Sequence, residues 1–180
     1  MSMLHSLRKP LLAAHIVASI GWLGAVASFL ALAVFGLRST DAQMVRALAT
    51  AQDPLAWWVL LPLCLASLVT GLASSLVTPW GLLRHYWVLF KLAITVISTG
   101  LLLLHLPPID YLARRAADPD FAVGSDLPVR IKLATAAGAA VLALLLAIVL
   151  SVYKPKGLTP YGQRLWFQRL QRASVNEEAA

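Results

Sequence analysis

Residues 84–108 read RHYWVLFKLAITVISTGLLLLHLPP, and this stretch decides the fold because it is long and apolar enough to cross a bilayer. It keeps a lysine, Lys91, well inside the apolar run and a histidine, His105, near its far end. A charged side chain costs roughly 2.5–3.5 kcal/mol at the centre of an inserted helix. We therefore expect Lys91 to face the interior of a helical bundle, or to reach along its own stem to the membrane surface.

The composition of the whole chain is that of a membrane protein. Of its 180 residues, 59% are hydrophobic and 13% are charged, whereas soluble domains have about 45–50% apolar and about 25% charged residues. The net charge is +7, but the basic residues lie next to apolar runs. This pattern favours the lipid bilayer and its anionic headgroups as partners over nucleic acid. Cys64 is the single cysteine, which excludes an intramolecular disulfide and a multi-cysteine metal site.

Four apolar runs predict an all-α integral membrane protein with an antiparallel bundle of four transmembrane helices. The first run is about twice as long as the core of a signal peptide, so we interpret it as a retained helix. The four spans form one domain over residues 1–157, and they cover about residues 11–37, 56–78, 83–106 and 129–152.

The segments between and after the spans carry further predictions. Residues 38–55 predict a short outer-loop helix, with Thr40 and Gln43 at capping-box spacing and an apolar face of Met44, Ala47 and Leu48. Residues 107–128 form a longer, proline-broken loop in which Asp110 and Arg114 are spaced to pair. Residues 158–180 predict an amphipathic helix on the inner membrane surface, with one side formed by Trp166, Phe167 and Leu170.

The positive charges predict that both termini lie on the cytoplasmic side. That side then holds the short turn TPWGLL between the second and third spans, and all six aspartates fall on the other side. The inner side carries Arg8, Lys9, Arg84, Lys154, Lys156, Arg164, Arg169 and Arg172, whereas the outer side carries Arg38, Arg46, Arg114, Arg115, Arg130 and Lys132.

The third span presents a polar stripe. Its members are four and three residues apart, which places them on one face of the helix: Lys91, Thr95, Ser98, Leu102 and His105. Such a face is expected to point into the bundle. No acidic residue lies within any predicted span, which counts against a proton-coupled or cation-coupled carrier.

Depth in the membrane restricts which polar groups can meet. With a rise of 1.5 Å per residue, His15 lies roughly 7 Å and Lys91 roughly 11 Å from the inner boundary. His85 sits at that boundary, so these three residues belong to one layer. His105 is roughly 21 Å further along than Lys91 and belongs to the opposite face. The simplest alternative for His15 is a hydrogen bond to a serine or a backbone carbonyl.

Three stretches carry a family resemblance: AAHIVASIGWLGA, SLVTPWGLLRHYWVLFKL and LSVYKPKGLTPYG. The chain resembles a family of small bacterial four-span membrane proteins, which implies a place in the bacterial inner membrane. Through His15, Trp22, Lys91 and His105 it more distantly resembles the membrane domain of copper-resistance protein D and the HemJ type of protoporphyrinogen oxidase. The region VASFLALAVFGL lacks the arginine of the HemJ pattern, which counts against porphyrinogen oxidation.

We predict a non-catalytic membrane component, such as a subunit, an assembly factor or a structural protein, in which the stripe joins helices or protomers. Such a component would work in a homo-oligomer or with a membrane partner protein. The sequence has no nucleophile–base pair, phosphate loop or di-acid site, so an enzyme is less favoured.

Two alternatives remain. In the first, which follows the resemblance, the protein binds haem b: His15 ligates the iron, Lys91 pairs with a propionate or provides a second ligand, and Trp22 packs on the porphyrin. In the second, the protein is a small oligomeric transporter. A copper pathway is disfavoured because only Met1, Met3, Met44 and Cys64 offer soft ligands.

Overall fold

The computed structural model describes residues 2–77, 82, 84–124, 126–153, 157–164, 166–168 and 171, with the backbone alone for residues 2–7 and 77. Over these residues the fold is all-α, and a single β-bridge joins His85 to Leu158. The helices are α1 (Ser2–Arg38), α2 (Ala42–Leu55), α3 (Leu61–Val77), α4 (Tyr86–Ala117) and α5 (Leu127–Tyr153), with a π-helical turn at Ala56–Leu60.

Four helical stretches are long and apolar enough to cross a membrane. Each contains most or all of one predicted span, so the expectation of an all-α fold with four membrane-spanning segments is confirmed at this level. The stretches are Arg8–Arg38, Ala42–Leu76, Tyr86–Ala117 and Leu127–Tyr153.

Helix α2 occupies the first predicted loop, but its cap and its apolar face differ from the prediction. Asp41 is the N-cap, and its carboxylate accepts a hydrogen bond of 3.0 Å from the Gln43 amide. The predicted Thr40 cap is therefore wrong. Val45 and Ala49 are the buried apolar residues, whereas Met44 is half exposed. Local spacing could not show this, because the buried face is set by the packing of α2 against α4 and α1.

Helices α2 and α3 form one continuous helical rod through the π-helical turn. A π turn holds one more residue than an α turn, and such turns occur as single insertions in longer helices. The buried positions of α2, which end at Gln52, therefore continue at Leu60, Cys64 and Ser67. The second span is thus not separated from the preceding segment by a loop.

Helix α4 continues through Pro107 and Pro108 and ends at Ala117, so the second loop is shorter than its prolines predicted. A proline in a helix interior removes a backbone hydrogen bond, at a cost of about 3 kcal/mol. The turns that follow bury Ile109, Leu112 and Ala116 at helical spacing, on a helix that packs against α2 and α5, and this burial offsets the cost. Asp110 and Arg114 form the predicted ion pair at 2.6 Å.

Helix α1 packs along α3 and α5, and α4 packs along α2 and α5, whereas α3 contacts α4 much less. Three pairs of residues join α1 to α3: His15 with Thr70, Ser19 with Ser67, and Gly21 with Leu63. The residue numbers rise along α1 as they fall along α3, so the contacts progress in opposite directions along the two helices. The buried core includes Trp22, Phe29, Leu60, Cys64, Leu106, Ile109, Leu133 and Leu144.

The two ends of the bundle are closed by different segments. At the α2 end, defined by α2 and residues 118–126, Arg46 donates to the Pro119 carbonyl at 2.7 Å and lies over the Phe121 ring. At the tail end, defined by residues 84–86 and 157–164, the Tyr86 amide donates to Gly157 and the Thr159 amide donates to Arg84.

Residues 160–164 and 166–168 of the predicted tail helix are helical, and Trp166 and Phe167 are exposed. Parts of two predictions lie outside the described residues: Leu170, Arg169, Arg172, Lys154 and Lys156 of the tail, and 78–81 and 83 of the turn.

Candidate functional site

His15 lies half buried at the contact between α1 and α3, and its ring is held by α3. Its Nδ1 atom is 3.1 Å from the Ser67 carbonyl oxygen and 3.3 Å from the Thr70 hydroxyl oxygen. A carbonyl oxygen can only accept, so Nδ1 donates in the neutral ring. The Thr70 hydroxyl gives its own proton to the Ala66 carbonyl at 2.5 Å, so Thr70 also accepts.

This arrangement fixes the tautomer of His15. With the proton on Nδ1, the lone pair of Nε2 is available as an acceptor or as a metal ligand. Histidines that ligate metals are usually held in this way, through the other ring nitrogen and a carbonyl or carboxylate. His15 is therefore arranged both for joining two helices and for ligation through Nε2.

The close approach of α3 to His15 depends on Gly71. A Cβ atom at that position would lie 2.9 Å from His15 Cε1 and 3.3 Å from Nδ1. One turn further along, Ser19 and Ser67 share a hydrogen bond of 2.8 Å, and Ser67 is buried. We call His15, Ser19, Ser67 and Thr70 the α1–α3 polar clasp. Small residues at such crossings let two helices approach closely in lipid.

Trp22, the third member of the predicted haem site, lies in the hydrophobic core. It is 2% exposed and packs within the main buried cluster, about two turns of α1 beyond His15. Protein atoms cover both faces of its ring, so a porphyrin would have to displace core side chains to stack on it. Packing in the core is therefore sufficient to explain why the sequence has a tryptophan at position 22.

Lys91 is half buried on α4, and its ammonium group lies over the Trp87 ring, 5.7 Å from the ring centroid. A cation over a tryptophan face is stabilised by the ring quadrupole. The ammonium group also lies within the range of an electrostatic interaction with the His15 ring. That the two residues share one layer of the membrane stays a prediction.

The other polar side chains of the α4 stripe form hydrogen bonds within their own helix or are buried in the core. Ser98 is buried, and the Thr95 hydroxyl donates to the Lys91 carbonyl at 2.9 Å. Thr99, which the stripe did not include, is buried beside Cys64, with 3.1 Å between its hydroxyl oxygen and the sulfur. His105 Nδ1 bonds the Leu101 carbonyl at 2.7 Å, far along α4 from Lys91.

A second polar group, not predicted from the sequence, centres on Arg130 at the α2 end. Arg130 is 6% exposed, and its guanidinium donates to the Val123 carbonyl at 2.8 Å and to the Gly36 carbonyl. Gly36 lies in the last turn of α1, where carbonyls have no partner in their own helix. Arg130 thus caps α1 from α5, at the end of the helix dipole that favours a cation.

Asp126 provides the negative charge of this group. It is 6% exposed, accepts a hydrogen bond of 3.1 Å from the Tyr111 hydroxyl, and lies 3.7 Å from Arg115. Arg115 also bonds Asp118 at 2.8 Å. These contacts tie the end of α4 to the start of α5 and hold residues 118–126 across the bundle.

A cavity of about 10 Å³ and an open groove of about 450 Å³ lie at the α2 end, and none of the residues predicted to hold haem lines either of them. Within the described part of the chain, no three His, Cys, Asp or Glu side chains are grouped to hold a metal ion. Of the three residues predicted to hold haem, His15 has a geometry that fits ligation, and Trp22 has no free face.

Comparison with known proteins gives no family: no family model, curated protein or solved structure matches the chain.

Proposed function

We propose that the chain is a non-catalytic component of a bacterial inner membrane, in which polar side chains join the transmembrane helices. The observation that carries this proposal is the α1–α3 polar clasp. Its histidine donates to the Ser67 carbonyl, and its two serines bond each other at 2.8 Å. Interhelical hydrogen bonds of this kind, beside small residues, are a general means of helix association in lipid.

The burial pattern agrees with a structural role for these groups. Trp22 and Ser98, which a binding site would expose to a ligand, are buried by the protein itself. Helix α1 also keeps small residues exposed at helical spacing, and such a face supports close contact with a second copy or with a partner protein. These residues are Gly24, Ala27, Ser28 and Ala31.

The topology that we propose is an antiparallel bundle with both termini in the cytoplasm, the α2 end outside and the tail end inside. The opposite progression of the α1–α3 contacts supports the antiparallel order. The basic residues of the tail would then meet anionic headgroups. A fluorescent protein or alkaline phosphatase fused after Ala180 tests this orientation. We expect a fluorescent and phosphatase-negative result, and the reverse would place the tail outside.

The alternative function is haem b binding, as the distant resemblance implies. The observation in its favour is the His15 tautomer, because Nδ1 is held by Ser67 and Nε2 keeps its lone pair. His15 would hold the iron and Lys91 would pair with a propionate. Haem would supply electron transfer or redox chemistry there.

One experiment separates the two functions. The full chain is purified in mild detergent, and its absorption spectrum is recorded before and after addition of haemin. We expect no Soret band of stoichiometric intensity. A Soret band that is lost in His15→Ala and kept in the matched variant His85→Ala would overturn the structural proposal and establish the haem site. The His85 control lies outside the clasp, at the start of α4.

A further inference from the structure

A small cavity at the α2 end is lined by two buried polar side chains. Its volume is about 10 Å³, and it is lined by residues of α1, α2, α4 and α5. Most of its wall is apolar, including Ala33, Val45 and Ala49. Gln52 and Arg130 are the polar exceptions, and they are 4% and 6% exposed.

The side-chain oxygen of Gln52 is an unsatisfied acceptor. This atom, Oε1, is buried and has no hydrogen-bond partner in the described part of the chain. A buried acceptor without a partner is costly, and native proteins usually supply one from the protein or from ordered water. If the oxygen and nitrogen of the Gln52 amide were exchanged, the buried atom would be a donor, and it too would lack a hydrogen-bond partner.

Arg130 brings the complementary group to the same cavity. A guanidinium has five N–H donors and no acceptor. The Val123 and Gly36 carbonyls take bonds from its two terminal nitrogens. Further donors therefore remain to serve a group in the cavity.

From this geometry we infer that the cavity is a binding site for one water molecule, which accepts from Arg130 and donates to Gln52 Oε1. Water is the smallest group that does both. The volume of about 10 Å³ is close to what one water needs. A cation would be repelled by Arg130, and an anion could not donate to the amide oxygen.

The test adds a methyl group to the cavity wall. In Gly36→Ala, the new Cβ would lie 3.7 Å from Arg130 Nη2 and 3.9 Å from Leu48, which is ordinary contact distance with the protein but takes space from the water. Gly100→Ala, on α4, is the matched control, since a Cβ there meets nothing within 4 Å. Each variant is made in the natural chain and in a Gln52→Met background, and thermal unfolding is measured in detergent.

We expect Gly36→Ala to lower Tm by about 2–4 °C more in the natural chain than in the Gln52→Met background, because only the natural chain loses a water that it needs. Gly100→Ala should shift Tm equally in both. If Gly36→Ala also shifts Tm equally in both, the water site is refuted. If Gln52→Met does not fold, a density map that resolves other buried waters decides: density within hydrogen-bond distance of Gln52 and Arg130 supports the site, and none overturns it.

Discussion

Replacing Gly71 with alanine tests whether His15 is packed as tightly against α3 as its contacts indicate. The new methyl would lie 2.9 Å from His15 Cε1 and 3.6 Å from Nε2. Carbon atoms in good contact are about 3.5–4.0 Å apart, so the ring would have to move by roughly 0.6 Å or more. That movement weakens the bond from Nδ1 to the Ser67 carbonyl.

The size of the effect follows from two opposing terms. Overpacking a tight site costs about 1–3 kcal/mol, whereas Gly→Ala in a helix gains up to about 1 kcal/mol through propensity. Gly100→Ala isolates the second term, because a Cβ at Gly100 meets nothing within 4 Å. We therefore expect Gly71→Ala to be about 1–3 kcal/mol less stable than Gly100→Ala.

The assay is unfolding of the purified protein in detergent, followed by circular dichroism as temperature or denaturant increases. A His15→Ala background provides the decisive comparison, because the ring is then absent and Gly71→Ala should lose its penalty. Equal stability of Gly71→Ala and Gly100→Ala would refute the reasoning. So would a penalty that persists unchanged without the ring, since its cause would then lie elsewhere in α3.

Three further predictions concern other polar contacts. Arg130→Met should lower the free energy of unfolding by about 2–4 kcal/mol, because it leaves the buried Gly36 carbonyl and the half-buried Val123 carbonyl without their donor; the matched variant Arg114→Met, at an exposed ion pair, should leave unfolding unchanged. Ser19→Ala should cost about 1 kcal/mol through loss of the bond to Ser67, and Ser151→Ala, at a serine that bonds the Ala147 carbonyl of its own helix, should cost less; equal losses would contradict an interhelical role. Cys64 is 0% exposed and should react with a maleimide only after unfolding, so rapid labelling of the folded protein would contradict its burial.

The membrane-spanning helices could be predicted because their apolar runs are long and uninterrupted. The fixed rise per residue of a helix also predicts that His15 and Lys91 share one layer, and this stays a prediction. The simplest alternative for His15, a hydrogen bond to a backbone carbonyl, is confirmed, but the sequence could not predict that the carbonyl is that of Ser67, because a carbonyl carries no signature of its own. Continuation of α4 through Pro107 and Pro108 depends on tertiary packing, which overrides the local signal.

The burial of Arg130 is a feature that the sequence alone does not predict. An arginine two residues after Pro128 at the edge of an apolar run is typical of a membrane-interface residue, and it was counted as such in the orientation of the spans. Its burial depends on the Gly36 carbonyl, 94 positions earlier in the chain. Only the assembled bundle brings that carbonyl and Gln52 to the same cavity.

The π-helical turn at Ala56–Leu60 is the place where the rod can lose one residue without losing its packing. The wide turn accommodates its extra residue while the helices on either side keep a common buried face, so removing one residue there would restore an ordinary α-helix and leave that face unchanged. Removing one residue from an α-helical turn before Cys64 would instead rotate Cys64, Ser67 and Gly71 by about 100° relative to α2, away from α1 and α4. The turn thus keeps the contacts of α3 in register with those of α2.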